Sequence, residues 1–261
     1  MTKHIPNALT LVNLMCGCCG IVSCLHNQSE YVPMFMMIAL LADFADGFVA
    51  RALNVKSDIG AQLDSLADMV TFGVLPGTLL FCMIQYNLFN NLLNDSVNQI
   101  SQNANSSDLV VRLNSFSYRA IPFLGFIYSL FACLRLAKFN IDDRQTENFI
   151  GMPTPAGGMF VLGLYMNFFV LNFLIAPVYS PVFLSIITIL LALLMVCPLP
   201  MFSLKFNTFT FKGNEARYVF LLMCLPQPFI FKWLSLSTII MTYVGWSLLL
   251  WIRERMKPIR N

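Results

Sequence analysis

Apolar runs of about 18–22 residues recur along this chain of 261 residues, each long enough as a helix to cross a hydrocarbon core about 30 Å thick. Lipid offers no water to the backbone, so every N–H and C=O in such a run must be satisfied within its own segment, and the runs read as membrane helices. Eight candidate spans cover residues 7–26, 32–52, 65–90, 119–138, 156–176, 180–200, 216–233 and 235–252. The expected fold class is all-α, a polytopic membrane helical bundle forming a single transmembrane domain over residues 1–261. Composition agrees: 57% of the residues are hydrophobic and 11% charged, where a soluble domain carries roughly 25% charged residues.

Prolines mark weak points in this pattern. Pro33 suits the first turn of the second span, where its missing N–H leaves nothing unpaired. Pro76 predicts a kink within the third span, and Pro226 with Pro228 interrupts the seventh. The Asn- and Ser-rich stretch 93–118 reads as a flexible extracytoplasmic loop, and 216–261 adds two further spans and a basic tail.

Thirteen of the 16 Lys and Arg residues fall on the side that carries the N-terminus and alternate loops, against Arg112, Arg119 and Lys232 on the other. This bias puts both termini in the cytoplasm with an even number of spans. The basic residues sit at helix ends, where they anchor to headgroups, so the net charge of +3 does not point to nucleic acid. No small-residue cleavage site follows the first apolar run, so no cleavable signal peptide is expected. The compact single-chain form points to a bacterial inner membrane.

Cysteine and histidine carry little chemistry in this pattern. The eight cysteines lie almost entirely inside apolar spans, and Cys16 and Cys19, though spaced C-x-x-C, have no second pair and read as small packing residues. His4 and His26 are isolated, which removes a His-based triad. The absence of a visible internal repeat weighs against an inverted-repeat transporter.

Against this background Asp43, Asp46, Asp64 and Asp68 are anomalous, because they interrupt the second and third spans in LADFADGFVARALNVKSDIGAQLDSLADMV. A carboxylate at a helix centre in lipid costs roughly 2.5–3.5 kcal/mol on insertion scales, so the group requires compensation. The charge bias places all four at the cytoplasmic ends of their helices. Spacings of three and four residues put each pair on one helix face, and a tight turn between antiparallel neighbours makes the pairs face each other.

Hard oxygen donors without His or Cys select Mg2+ or Mn2+. Four carboxylates can hold two such ions about 3.5–4 Å apart, a geometry suited to in-line displacement at phosphorus. The small residues Gly47, Ala50 and Gly60 on the same faces admit a close, flat ligand such as a nucleotide. A proton relay or a divalent-cation pathway would use the same aspartates. An ion pair with Arg51 would neutralise one of them and leave the others uncompensated.

The pattern Asp43-x-x-Asp46-Gly47-x-x-Ala50-Arg51, eight residues, then Gly60-x-x-x-Asp64-x-x-x-Asp68 resembles the signature of the CDP-alcohol phosphotransferases. The resemblance implies a dimeric membrane enzyme with a core of six helices, here with two spans beyond it. It implies transfer of a phospho-group from a CDP-linked donor to an alcohol, with release of CMP. By the same resemblance the four aspartates are metal ligands and Asp68 is also the general base. Asp43, Gly47, Ala50, Arg51 and Gly60 then bind the cytidine diphosphate.

Outside the signature, IPNALTLVNLMCG, FACLRLAKFN, FIGMPTPAGG and PLPMFSLKF resemble the phosphatidylserine synthase branch. The implied reaction joins CDP-diacylglycerol and L-serine to give phosphatidylserine and CMP. A departure occurs at 197–202, where the chain reads CPLPMF and lacks the Ser and Tyr often found in that branch. A serine carboxylate needs a cation, and the cytoplasmic candidates are Arg135, Lys138, Arg144 and Lys205; Arg135, lying before the end of its span, is the best placed. Glycerol 3-phosphate or inositol phosphate as acceptor would call for a denser basic cluster than the chain shows near FIGMPTPAGG. Outside enzymes, a divalent-cation transporter is the alternative.

Overall fold

The computed structural model describes residues 4–55, 57–100, 120–141, 151–171, 179–202, 210 and 214–256. Helices and no strands occur among them, as an all-α polytopic membrane protein requires. Five helical stretches are long and apolar enough to cross a membrane: Ile5–Leu25, Val32–Ala52, Asp58–Asn91, Ile121–Ile141 and, counted through its breaks, Glu215–Arg253.

Helix α1 (Ile5–Leu25) starts with Pro6 in its first turn and ends before Asn27, whose φ of 58° lets the chain reverse. Helix α2 (Val32–Ala52) matches the expected second span end to end, with Pro33 in its first turn. A second reversal at Asn54 (φ 52°) leads to α3 (Asp58–Asp68), which Ser57 caps by accepting from Gly60 N at 3.1 Å.

The third span is continuous. From α3 the chain passes through a wide π-helical turn, Met69–Val74, into α4 (Leu75–Ile100). Pro76 cannot donate to Phe72 O four residues earlier, and in place of a break the Tyr128 hydroxyl takes that carbonyl at 3.1 Å. Ser129 Oγ likewise donates to Gly73 O at 2.9 Å. The site of the expected kink is thus a widened turn sutured to a neighbouring helix. Helix α4 also runs to Ile100, into the segment expected as a loop from residue 93; residues 101–119 lie outside the described residues.

That neighbour is α5 (Phe126–Ile141), entered through a 3-10 turn at Ile121–Gly125. Helix α6 (Thr154–Met166) extends through a π-helical turn at Asn167–Leu171, and α7 (Pro181–Val196) is capped by Ser180. They lie in the regions of the expected fifth and sixth spans, but neither is among the five stretches long and apolar enough to cross a membrane, and residues 172–178 between them lie outside the described residues. The core gathers where α4, α5 and α6 meet: Phe72, Leu75, Leu79, Leu80, Tyr128, Leu162 and Tyr165 are all buried.

Beyond it, α8 (Glu215–Cys224), α9 (Gln227–Phe231) and α10 (Ser235–Arg255) form a C-terminal unit. The expected seventh span is broken between α8 and α9, beside Pro226 and Pro228, and α8 alone rises only about 15 Å. Beside the break the Gln227 side chain is held by α10, where Thr242 Oγ1 accepts from Gln227 Nε2 at 3.0 Å and Thr238 Oγ1 donates to Gln227 Oε1 at 2.7 Å. The unit grips Phe202 by both backbone groups: Tyr243 OH donates to its carbonyl at 2.8 Å and Ser247 Oγ accepts from its N–H at 3.1 Å.

Candidate active site

The two reversals stand α1, α2 and α3 side by side and bring the intramembrane aspartates together. Oxygen atoms of Asp43, Asp64 and Asp68 lie within 4.8 Å of one another. Asp46 departs from the expected pair of facing pairs. It stands on α2 one turn nearer the C-terminal end of that helix, is 6% exposed, and accepts a hydrogen bond from Thr10 Oγ1 of α1 at 2.5 Å. The arrangement is therefore three carboxylates in a cluster and a fourth beside them, tied to a different helix.

Three half-buried carboxylates this close repel one another at membrane depth unless a cation sits among them. Asp64 Oδ1 is buried and has no hydrogen-bond partner, an acceptor awaiting a donor or an ion. The donors are all hard oxygens, and among the described residues this is the one group of three or more His, Cys, Asp or Glu placed to hold a metal. That set fits a divalent ion of the Mg2+ or Mn2+ type and is a poor match for zinc, which takes nitrogen and sulfur. All eight cysteines are free, and none joins the cluster.

A cavity of about 530 Å3 opens beside the cluster, and Asp46 and Asp64 stand in its wall. That volume lies within the usual range for a small-molecule site. From α2 it receives Gly47, Ala50 and Arg51; from the α3 side Ser57 and Gly60; from α1 Pro6, Asn7 and Thr10. The two glycines serve differently. A Cβ on Gly47 would meet nothing nearer than Arg51 Nη1 at 3.9 Å, so its absence leaves room for a ligand. A Cβ on Gly60 would lie 2.9 Å from Ser57 Oγ and 3.1 Å from Asn7 Oδ1, so there the packing of α1 on α3 itself requires glycine.

Arg135 on α5 is 8% exposed, and its Nη1 donates to Thr154 Oγ1 at 2.9 Å. Its guanidinium lies 5.5 Å from the centroid of the Phe139 ring. Thr154 is fully buried at the start of α6, and the preceding backbone is knitted to the end of α7: Gly151 N donates to Leu199 O at 2.9 Å and Met152 N to Leu194 O at 3.0 Å. The FIGMPTPAGG element thus braces Arg135. Lys138 is exposed near the end of α5, while Arg144 and Lys205 lie outside the described residues.

The spacing of the aspartates did not reveal the contribution of α1. Asn7, Thr10 and Asn13 each touch the site, Asn13 by donating its amide to Asp68 Oδ1 at 3.2 Å. Their signal is present in the chain as three polar side chains at intervals of three in an otherwise apolar span, one face of one helix.

The model of the family described as CDP-alcohol phosphatidyltransferase matches residues 3–197. A CDP-diacylglycerol–serine O-phosphatidyltransferase of Bacillus subtilis (strain 168) is 34% identical over 198 residues, covering 74% of this chain and 87% of that protein. A protein of the same description from Helicobacter pylori (strain ATCC 700392 / 26695) is 26% identical over 259 residues, 98% of this chain and 94% of its own. Another, from Methanocaldococcus jannaschii, is 28% identical over 194 residues, 74% of this chain and 70% of its own.

Proposed function

The chain belongs to the CDP-alcohol phosphatidyltransferase family, and on that premise we propose that it transfers the phosphatidyl group of CDP-diacylglycerol to the hydroxyl of L-serine, forming phosphatidylserine and releasing CMP. The observation that carries this reading is the junction at Asp64, which belongs both to the carboxylate cluster and to the wall of the cavity. A nucleotide diphosphate seated in that cavity reaches the cluster at its phosphate end.

The family depends on divalent metal. Asp43, Asp64 and Asp68, with Asp46 beside them, would hold it as two Mg2+ or Mn2+ ions, which when bound neutralise the diphosphate and the charge developing on departing CMP. Gly47, Ala50 and Gly60 form the floor against which the cytidine lies, and Arg51 adds positive charge at the rim. Asp68 accepts the proton of the serine hydroxyl as that oxygen forms its bond to the lipid-side phosphorus and the bond to the CMP oxygen breaks. Arg135, held by Thr154, receives the serine carboxylate, and exposed Lys138 lends positive charge to the same approach; Lys205, outside the described residues, remains a candidate from the sequence alone. The acyl chains enter laterally from the bilayer.

Serine as the acceptor is supported by the names of the relatives above. The thirteen-to-three distribution of basic residues supports both termini and the active site facing the cytoplasm, and the Bacillus subtilis and Helicobacter pylori relatives support a bacterial inner membrane. The resemblance of the signature supports a homodimer. To test the reaction, purified protein is given CDP-diacylglycerol with Mn2+ or Mg2+: CMP and phosphatidylserine should form when serine is added. Release of CMP with glycerol 3-phosphate and none with serine would overturn the assignment.

A further inference from the structure

Asn13 is wholly buried on α1, in the middle of a membrane span, where an amide side chain is costly unless it is used. Its Nδ2 donates to Asp68 Oδ1 at 3.2 Å. A carboxylate can only accept, so the orientation of the amide is fixed by that bond. Its own Oδ1 is buried without a hydrogen-bond partner, so the amide N–H is what secures it.

The backbone of Asn13 is held as well. Thr71, in the π-helical turn that follows Asp68, donates its hydroxyl to Asn13 O at 3.1 Å. This contact depends on Gly17, one turn further along α1, where a Cβ would collide with Thr71 Oγ1 and lie 3.1 Å from Thr71 Cα. Two bonds thus run between α1 and the stretch 68–71, in opposite directions, and both pass through Asn13.

We propose that Asn13 is the positioning residue of the carboxylate cluster: it pins one oxygen of Asp68 and so presents the other to Asp43 and Asp64. The proposal rests on the reading that this cluster holds the divalent metal. Asn13 touches neither the metal nor substrate; it acts through Asp68. Partners of this kind, one bond removed from the ion, typically contribute about 10–100-fold in metal affinity.

The test is Mn2+ binding to the purified full-length protein, followed by the loss of the free-ion electron paramagnetic resonance signal, without substrates. Asn13→Ala and Asn13→Leu should bind Mn2+ about 10–100-fold more weakly than the parent. The Mn2+ concentration giving half-maximal CMP release should rise in the same ratio, with the KM for serine held within about twofold. Thr71→Val, which removes the bond to the Asn13 carbonyl and leaves the amide in place, should shift Mn2+ binding in the same direction by less; it also serves should the Asn13 variants fail to fold. Parental Mn2+ affinity in the folded variants would overturn the proposal. A parent protein that takes up no Mn2+ would overturn the metal reading itself, which is a different result.

Discussion

Thr10 and Asp46 meet across the interface of α1 and α2, the threonine hydroxyl donating to Asp46 Oδ2 from 2.5 Å where both side chains are buried. The bond explains why the fourth aspartate stays outside the cluster of Asp43, Asp64 and Asp68. It also makes α1 a wall of the site, where the aspartate pattern alone assigns the site to α2 and α3. Thr10→Val keeps the volume and removes the donor. A hydrogen bond to a charged group is worth about 1.5–3 kcal/mol, so kcat/KM for CDP-diacylglycerol should fall by about 10–100-fold, measured as CMP release at saturating serine.

Metal removal separates the enzyme from a soft-metal protein. Chelation should stop CMP release, and Mg2+ or Mn2+ should restore it, because the cluster offers only carboxylate oxygens. Zn2+ at matched free concentration should restore little. Asp64→Asn, in a protein that still folds, should weaken Mn2+ binding and CMP release together.

Arg135 and Thr154 are predicted to govern the acceptor. Arg135→Lys keeps a charge but loses the planar fork, and should raise the KM for serine about tenfold with a smaller effect on the KM for CDP-diacylglycerol. Thr154→Val removes the 2.9 Å bond that braces the guanidinium and should act in the same direction more weakly. Equal losses for both substrates would remove Arg135 from the serine site.

The two glycines of the cavity should respond in opposite ways. Gly47→Ala adds a methyl to open space and should raise the KM for the nucleotide donor with the thermal midpoint unchanged. Gly60→Ala places one against Ser57 Oγ and Asn7 Oδ1, disturbing the α3 cap and the packing of α1, and should lower the thermal midpoint. Thermal unfolding in detergent alongside CMP-release kinetics separates the two.

Tyr128→Phe tests the suture at the π-helical turn. It leaves Phe72 O buried without its donor, at about 1–3 kcal/mol, and should lower the thermal midpoint while leaving substrate KM values near parental below that temperature.

Much of the site was legible because it is local. Asp43 with Asp46 and Asp64 with Asp68 are close in the chain, and helical geometry alone puts each pair on a common side. The bounds of α2 were legible for a similar reason, since an apolar run with proline in its first turn has one way to be a helix in lipid. What escaped depends on partners distant in sequence. Thr10 reaches Asp46 across 36 positions and Asn13 reaches Asp68 across 55. Pro76 announced a disturbance, but the outcome was set by Tyr128, 56 residues beyond the carbonyl it rescues. Helix α4 reaches Ile100 through Asn- and Ser-containing sequence because polar composition alone does not end a helix.

The π-helical turn at Met69–Val74 begins at the residue after Asp68. Widening a helix by one residue turns everything beyond it by about 100° relative to a regular continuation. The same rod can therefore aim its first part at the carboxylate cluster and its second at the packed core shared with α5 and α6, with a change of azimuth where one duty ends and the other starts. Chemistry and anchorage can then diverge independently along a single helix, because neither stretch inherits the facing of the other.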